Sequence, residues 1–198
     1  DIAFPFRQDS NFWYLTGVQE PDLILIINTK SGKTTLLLPE KNSYQIEWDG
    51  ELDKSELKQK SGIKNFAYEK ELTEYLRHAK KDRLQICYLA PLPKLVEPYG
   101  FYANPARQIL ETKIKIIEPT PKDIRLDLAK LRQIKQPIEI EAVRKAIEIT
   151  KKSLNEIKSR LIEFKFESDV ERELSIQFLQ NGADGHKFDP IITSGKNA

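Results

Sequence analysis

The chain has 198 residues, of which 31% are charged and 39% hydrophobic, and its formal net charge is +2. These values are typical of a soluble globular protein with one large domain or one and a half small ones, and they give no electrostatic argument for a nucleic-acid or anionic-membrane partner. No signal peptide opens the sequence and no run approaches about eighteen apolar residues, so we expect a cytoplasmic protein without a membrane span.

The stretch Phe4–Asp22, FPFRQDSNFWYLTGVQEPD, places aromatic side chains around the short polar centre Arg7–Ser10. Aromatic residues interleaved with arginine and asparagine are found on nucleic-acid-binding surfaces. The alternative is a well-packed junction in which backbone groups satisfy the polar centre, and composition favours this alternative. The aromatic residues are Phe4, Phe6, Phe12, Trp13 and Tyr14.

Two apolar, β-rich runs follow, Leu23–Ile27 and Thr34–Leu38, on either side of the polar segment Asn28–Lys33. This pattern predicts a β-hairpin in which Gly32 supplies a permissive turn conformation. The first run, LILII, is dense enough in apolar residues to predict a fully buried strand.

The next segment, Pro39–Leu52, is polar and is predicted to be a loop that carries one tryptophan, Trp48. A tryptophan in a loop usually either fills a small satellite core or contacts a partner. The residues alone leave both interpretations of Trp48 open.

Helices and strands then alternate, which predicts a layered α/β domain. Helices are predicted at Ser55–Ser61, Glu69–Lys80 and Ala106–Glu111, and strands at Arg83–Ala90 and Ile114–Ile117. The second helix has an amphipathic stripe at Leu72, Tyr75, Leu76 and Ala79. The single cysteine, Cys87, lies in an apolar run and is predicted to be a buried thiol in a reducing compartment.

The segment Lys122–Gln136 is a joint, and Pro137 stands where the first turn of a long helix to about Ile162 would begin. A second helix is predicted to follow, with a capping box at Ser168–Glu171 and a stop at Asn181–Gly182. We expect these two helices to pack against each other. A strand is then predicted to begin at Ile191 and Ile192.

Three ligand-type residues, Asp184, His186 and Asp189, lie close together near the C-terminus. They would have to bind a metal from a flexible, glycine-flanked loop that offers no outer shell of groups to orient them. We therefore predict no metal site here. The sequence also lacks a nucleophile-elbow serine, a recognisable Cys-His pair and a complete phosphate-binding loop.

Three segments resemble the aminopeptidase P family, the Xaa-Pro aminopeptidases of the creatinase/prolidase-like superfamily. Phe4–Asp22 is similar to the signature [YF]P[YF]RQ-x-S-x-F-x-Y-[LF]TG-x-x-EPD of the family's N-terminal domain. Leu131–Ala146, LRQIKQPIEIEAVRKA, resembles the segment that joins its domains. The run NGADGHKFDPIITSGKNA at 181–198 resembles the run that leads up to the family's catalytic His-Tyr.

The resemblance implies an α/β fold. It places an N-terminal creatinase-N-like mixed sheet flanked by helices at 1–121 and a linker at 122–136. The first helices of an α+β pita-bread catalytic domain, incomplete here, follow at 137–198. Compared with the family pattern, an opening strand and helix and most of the catalytic domain are missing, so we expect a chain truncated at both ends.

The resemblance also implies the activity of the parent protein, which would release the N-terminal residue next to proline. The family uses two divalent metals, usually manganese, held by Asp, Asp, His, Glu and Glu. These ligands follow the point where this chain stops, so the chain itself is expected to be inactive, with no catalytic residue and no metal ligand. It would supply oligomerisation and a surface that restricts access to the active site.

By the same resemblance, Trp48 is the best candidate for a contact with substrate in a neighbouring subunit of a homodimer or homotetramer, and Asp1 is a second candidate. The expected partners are proline-containing peptides, not nucleic acid or membrane. Two alternatives stay open: a prolidase or other cousin of the family, and a non-catalytic binding module of the same fold. The signature favours an aminopeptidase P.

Overall fold

A computed structural model of the chain describes residues 6–91, 105–186 and 188–197. Contacts between Cα atoms divide the chain into two compact units, Asp1–Leu131 and Arg132–Ala198. The first unit contains helices α1 (Ser10–Thr16), α2 (Ser43–Asp49), α3 (Lys54–Ser61), α4 (Leu72–Lys81) and α5 (Pro105–Ile117), and strands β1 (Ile24–Asn28), β2 (Lys33–Leu38), β3 (Asn65–Tyr68), β4 (Cys87–Tyr88) and β5 (Lys122–Asp123). Helix α6 (Arg125–Gln133) leads into the second unit, which contains α7 (Pro137–Ser159) and α8 (Glu167–Gln180).

The main sheet of the first unit has the order β1-β2-β3. The predicted hairpin is confirmed, since β1 and β2 pair antiparallel and Gly32 has a φ of 68° in the turn between them. Strand β3 pairs parallel with β2, opposite Thr35–Leu38. The sequence patterns predict helices at Ser55–Ser61 and Glu69–Lys80 and no strand between them, so β3 was not predicted.

Strand β2 separates two apolar clusters. Leu36 and Leu38 belong to one cluster with α3, and Leu37 belongs to the other with α4 and α5. Successive side chains of a strand point to opposite faces, so one strand supplies both clusters and the sheet is covered by helices on both sides. The predicted α/β class is confirmed, and so is the amphipathic stripe of α4, whose Leu72 and Leu76 are buried.

Several predicted strands were wrong in extent or type. β1 is not fully buried, because Ile27 is 51% exposed on the edge strand of the sheet. The strand predicted at Arg83–Ala90 is shorter and covers only Cys87–Tyr88. Ile86, just before the strand, is buried, but the next side chain, Cys87, is exposed and is not the buried thiol that the sequence predicted. The isoleucines at 114–117 lie in helix α5, which buries Ile114 and leaves Ile116 exposed to solvent.

The polar centre of Phe4–Asp22 serves the backbone, as the junction interpretation predicts. Asp9 Oδ1 accepts from the N–H groups of Asn11 and Phe12 and so caps α1, while Gln8 Nε2 donates to the Glu20 carbonyl at 2.7 Å. Asp9 Oδ2 also accepts from Arg107 Nη2 at 2.6 Å, across 98 residues. This half-buried ion pair ties α1 to α5.

The end of the first unit is held by Asp123, where β5 pairs parallel with β4. Its carboxylate accepts hydrogen bonds from the Ala90 N–H and from the backbone and guanidinium of Arg125. Burial raises the pKa of Asp123, but these hydrogen bonds together bring the pKa below its ordinary value. Nearby, burial and a 2.7 Å hydrogen bond to Glu111 raise the pKa of Tyr88 to about 12.

In the second unit, α7 and α8 pack together around Ser153, Ile157 and Leu174, which are buried. The long helix and its proline start are confirmed. The capping box is not at Ser168–Glu171 as predicted, because Asp169 accepts from the Phe166 N–H and α8 begins at Glu167. The segment with Ile191 and Ile192 has no strand structure, since no partner strand lies beside it within the described residues. No helix in the described part of the chain has both the length and the apolar character that a membrane span requires.

We predict that Asp9→Ala destabilises the chain by about 2 kcal/mol, because the substitution removes both the N-cap and the charged partner of Arg107. Asp9→Asn keeps an oxygen for the cap and should cost about half as much. Urea unfolding of the two variants checks this order. Equal losses would show that the cap and the ion pair do not both contribute.

We predict that Asp123→Asn destabilises the chain at neutral pH and that this effect fades in acid. A carboxyl group whose pKa is lowered by folding contributes stability above its unfolded pKa of about 3.9, and the contribution is lost as pH falls through the folded value. Urea unfolding at a series of pH values down to 3 measures the difference. The exposed Asp82→Asn is the control, and an Asp123→Asn effect that does not change with pH would contradict the prediction.

Candidate functional site

Trp48 lies on a helix, not in the loop that the sequence predicted. Helix α2 begins after Asn42, whose side chain accepts from the Gln45 N–H at 2.9 Å, while the Gln45 side chain accepts from the Asn42 N–H at 3.0 Å. Gly50, with a φ of 72°, ends the helix by donating its N–H to the Ile46 carbonyl. The Asn-x-x-Gln spacing is a capping signal in the sequence, although the segment was predicted to be a loop.

Helix α2 is held by local hydrogen bonds more than by packing, since none of its residues is buried. Besides the two caps, Lys41 Nζ donates to the Gly50 carbonyl at 2.9 Å and joins the segment before the helix to the residue after it. The segment is therefore fixed in conformation while its side chains stay on the surface.

The indole of Trp48 is 73% exposed, so it does not fill a satellite core. One turn earlier, Tyr44 is 67% exposed, and the two ring centroids are 6.1 Å apart with their planes tilted by 54°. Tyr44 was not among the predicted site residues, although its spacing of four residues from Trp48 reveals the pair once a helix is assigned. Asp1, the second candidate, lies outside the described residues.

Of the candidate metal ligands near the C-terminus, His186 makes contacts that stabilise the local structure. His186 Nε2 lies 2.9 Å from Ser175 Oγ, and its ring packs 4.7 Å from the ring of Phe178. Ser175 Oγ also lies 3.0 Å from the Glu171 carbonyl, so its hydroxyl hydrogen is shared between α8 and the imidazole according to the tautomer of His186. His186 thus holds the loop that follows α8 against that helix.

Within residues 6–91, 105–186 and 188–197, no three His, Cys, Asp or Glu side chains are grouped closely enough to hold a metal ion. The dinuclear metal centre implied by the resemblance therefore does not fit this set of donors. A shallow groove of about 650 Å³ along α7 is bordered by charged side chains such as Lys145, Glu148, Lys152 and Glu156. Its rim offers solvated charges and no activated nucleophile.

The chain matches two family models in succession. Residues 1–87 match the N-terminal domain of aminopeptidase P, and residues 141–198 match metallopeptidase family M24. The chain is 29% identical to intermediate cleaving peptidase 55 of Schizosaccharomyces pombe, covering 98% of this chain and 40% of that protein. It is 25% identical to Xaa-Pro aminopeptidase 3 of Homo sapiens, covering 100% of this chain and 40% of the relative.

A bacterial relative, the Xaa-Pro aminopeptidase of Haemophilus influenzae, is 28% identical, covering 100% of this chain and 44% of that protein. The chain thus spans less than half the length of these curated relatives.

Solved structures share the fold. An aminopeptidase P from Bacillus anthracis superposes with a TM-score of 0.79 at 22% identity, covering 100% of this chain and 48% of that one. Zn-substituted aminopeptidase P of E. coli in complex with product superposes with a TM-score of 0.65 at 23% identity, covering 92% of this chain and 42% of that one. Both family models are matched in the order that the motifs predict, and the resemblance of this chain to the aminopeptidase P family of the creatinase/prolidase superfamily is confirmed.

Proposed function

We propose that the full-length protein is a Xaa-Pro aminopeptidase that releases the N-terminal residue preceding proline. The observation that carries this proposal is similarity along 98–100% of the chain to relatives named Xaa-Pro aminopeptidase or intermediate cleaving peptidase, with both family models in order. The fixed φ of proline gives such an enzyme a rigid feature to select. Proline-containing peptides are therefore the proposed substrates.

The chain itself is proposed to shape and share the active site, without performing the hydrolytic step. Its described residues present no donor set for a metal, so we assign the proposed pair of Mn²⁺ ions and the chemistry to other residues of the full-length protein. The proposed domains are the N-terminal α/β domain at 1–121, the linker at 122–136 and the start of the catalytic domain at 137–198.

Trp48 is proposed to contact the peptide bound by a neighbouring subunit of a homodimer or homotetramer, with Asp1 on the same side. The exposure of Trp48 on a fixed helix supports this role, because a large aromatic side chain held on the surface is well suited to an interface. A cytoplasmic location is also proposed, since a reducing compartment would keep the exposed Cys87 thiol reduced.

We predict that the full-length protein cleaves an Xaa-Pro-Xaa tripeptide after its first residue, loses this activity with a chelator, and regains it with Mn²⁺. The same tripeptide with alanine in place of proline should be a poor substrate. Release of the N-terminal residue measures all three results. Cleavage of Xaa-Pro dipeptides alone would identify a prolidase, and no cleavage at all would favour a binding module.

We predict that Trp48→Ala in the full-length protein lowers kcat/KM at least about tenfold, the loss of a contact worth roughly 1.4 kcal/mol. Ile116→Ala, which changes a side chain that is 76% exposed in the same unit, is the matched control and should have little effect. Mixing Trp48→Ala subunits with subunits inactivated in their metal ligands should restore activity. Mixed oligomers that stay inactive would show that Trp48 does not act across subunits.

A further inference from the structure

We propose that the exposed face of α2 binds a cationic peptide segment, with a lysine or arginine side chain of that segment lying against the rings of Tyr44 and Trp48. We call Tyr44 and Trp48, together with the neighbouring acidic residues Glu47 and Asp49 of α2 and Glu51 just after it, the α2 face. The inference deepens the proposed role of Trp48, on which it rests for the ligand being a peptide. It adds the charge class of that peptide.

Within the described residues, no basic side chain is recorded against the rings of Tyr44 and Trp48, whereas the exposed ring of Tyr68 has two. Lys54 lies 5.1 Å and Lys70 lies 5.7 Å from the ring centroid of Tyr68. Tyr44 and Trp48 are more exposed than Tyr68, yet over the described part of the chain no Lys or Arg is recorded against either ring. Indole and phenol faces attract cations through their quadrupole.

The segment that carries these two rings is rich in acidic residues. Residues 39–54 contain five acidic side chains, of which Glu40 pairs with Lys70 and Asp53 caps α3. The other three, Glu47, Asp49 and Glu51, are exposed, and among the described residues none has a cation within 4.0 Å. A chain with a net charge of +2 thus carries a local excess of negative charge beside an aromatic pair.

The C-terminal end of α2 differs from those of α3 and α4 in the residues of its last turn. The C-terminal end of a helix is negative and favours basic side chains. Helices α3 and α4 follow this rule, with Lys58 and Lys60 in the last turn of one and Lys80 and Lys81 in that of the other. Helix α2 carries Glu47 and Asp49 in its last turn and no basic residue there, and the cation at its C-terminal end is Lys41, whose Nζ donates to the Gly50 carbonyl. Lys41 thus already meets the dipole of α2, and it is the two aromatic rings and the three unpaired carboxylates that favour a cation as the ligand.

Because the caps already hold α2, the ligand would meet a surface that is arranged before binding. Hydrogen bonds at Asn42, Gln45 and Gly50 fix the helix that sets the tilt between the two rings. Little ordering of the protein would then oppose binding, which favours recognition of a short peptide.

The test is isothermal titration calorimetry of the full-length protein, in which the heat released by peptide binding gives the affinity. The probes are three proline-free peptides, acetylated and amidated, that differ only in having arginine, glutamine or glutamate at two positions. We expect the arginine peptide to bind at least about tenfold more tightly than the glutamine peptide, with affinity falling as salt is raised. The glutamate peptide should not bind.

Two matched variants complete the test. Replacing Glu47, Asp49 and Glu51 by their amides should reduce binding of the arginine peptide to that of the glutamine peptide. Replacing three exposed acids elsewhere, Asp82, Glu141 and Glu148, removes the same charge and should leave binding within twofold. Equal binding of the three peptides, or full binding by the first variant, would overturn the inference.

The blocked, proline-free probes cannot be substrates of an aminopeptidase. A full-length protein without Xaa-Pro cleavage would therefore refute the proposed function and leave this result intact. Conversely, an active enzyme whose α2 face ignores peptide charge would refute only the inference.

Discussion

The first unit depends on strand β2 being buried on both faces and paired on both edges. β1 binds one edge antiparallel and β3 binds the other parallel. Leu36 and Leu37 are fully buried on opposite faces, so a shift of β2 by one residue would exchange the contents of the two clusters. The register of this strand therefore fixes the helices on both sides of the sheet.

The family signature is best understood as a structural device that supports this arrangement. Its polar residues bind backbone groups, and Asp9 joins α1 to α5 through Arg107. Val18, just after α1, is fully buried in the same cluster as Leu36. The stretch that identifies the family thus holds α1 against the core. The candidate functional surface lies elsewhere, on a helix that the core does not need.

Strong local patterns made part of the fold predictable, and the errors came from effects that a local pattern does not contain. The hairpin, the stripe of α4 and the proline start of α7 follow from periodicity and turn residues. Strand β3 exists because β2 offers it an edge, which no local signal announces. The isoleucines at 114–117 favour a strand by propensity, but packing of Ile114 against Leu37 and Leu76 selects a helix.

The candidate site shows the same division between local and long-range information. Periodicity could not find α2, because the helix buries no residue and so has no apolar stripe to detect. Its caps were readable in the sequence, and resemblance alone pointed to Trp48. A helix stabilised by its caps can change its exposed residues without disturbing the core, so the binding proposed for α2 would be separable from folding. That independence lets the surface residues Tyr44 and Trp48 be chosen for what they bind.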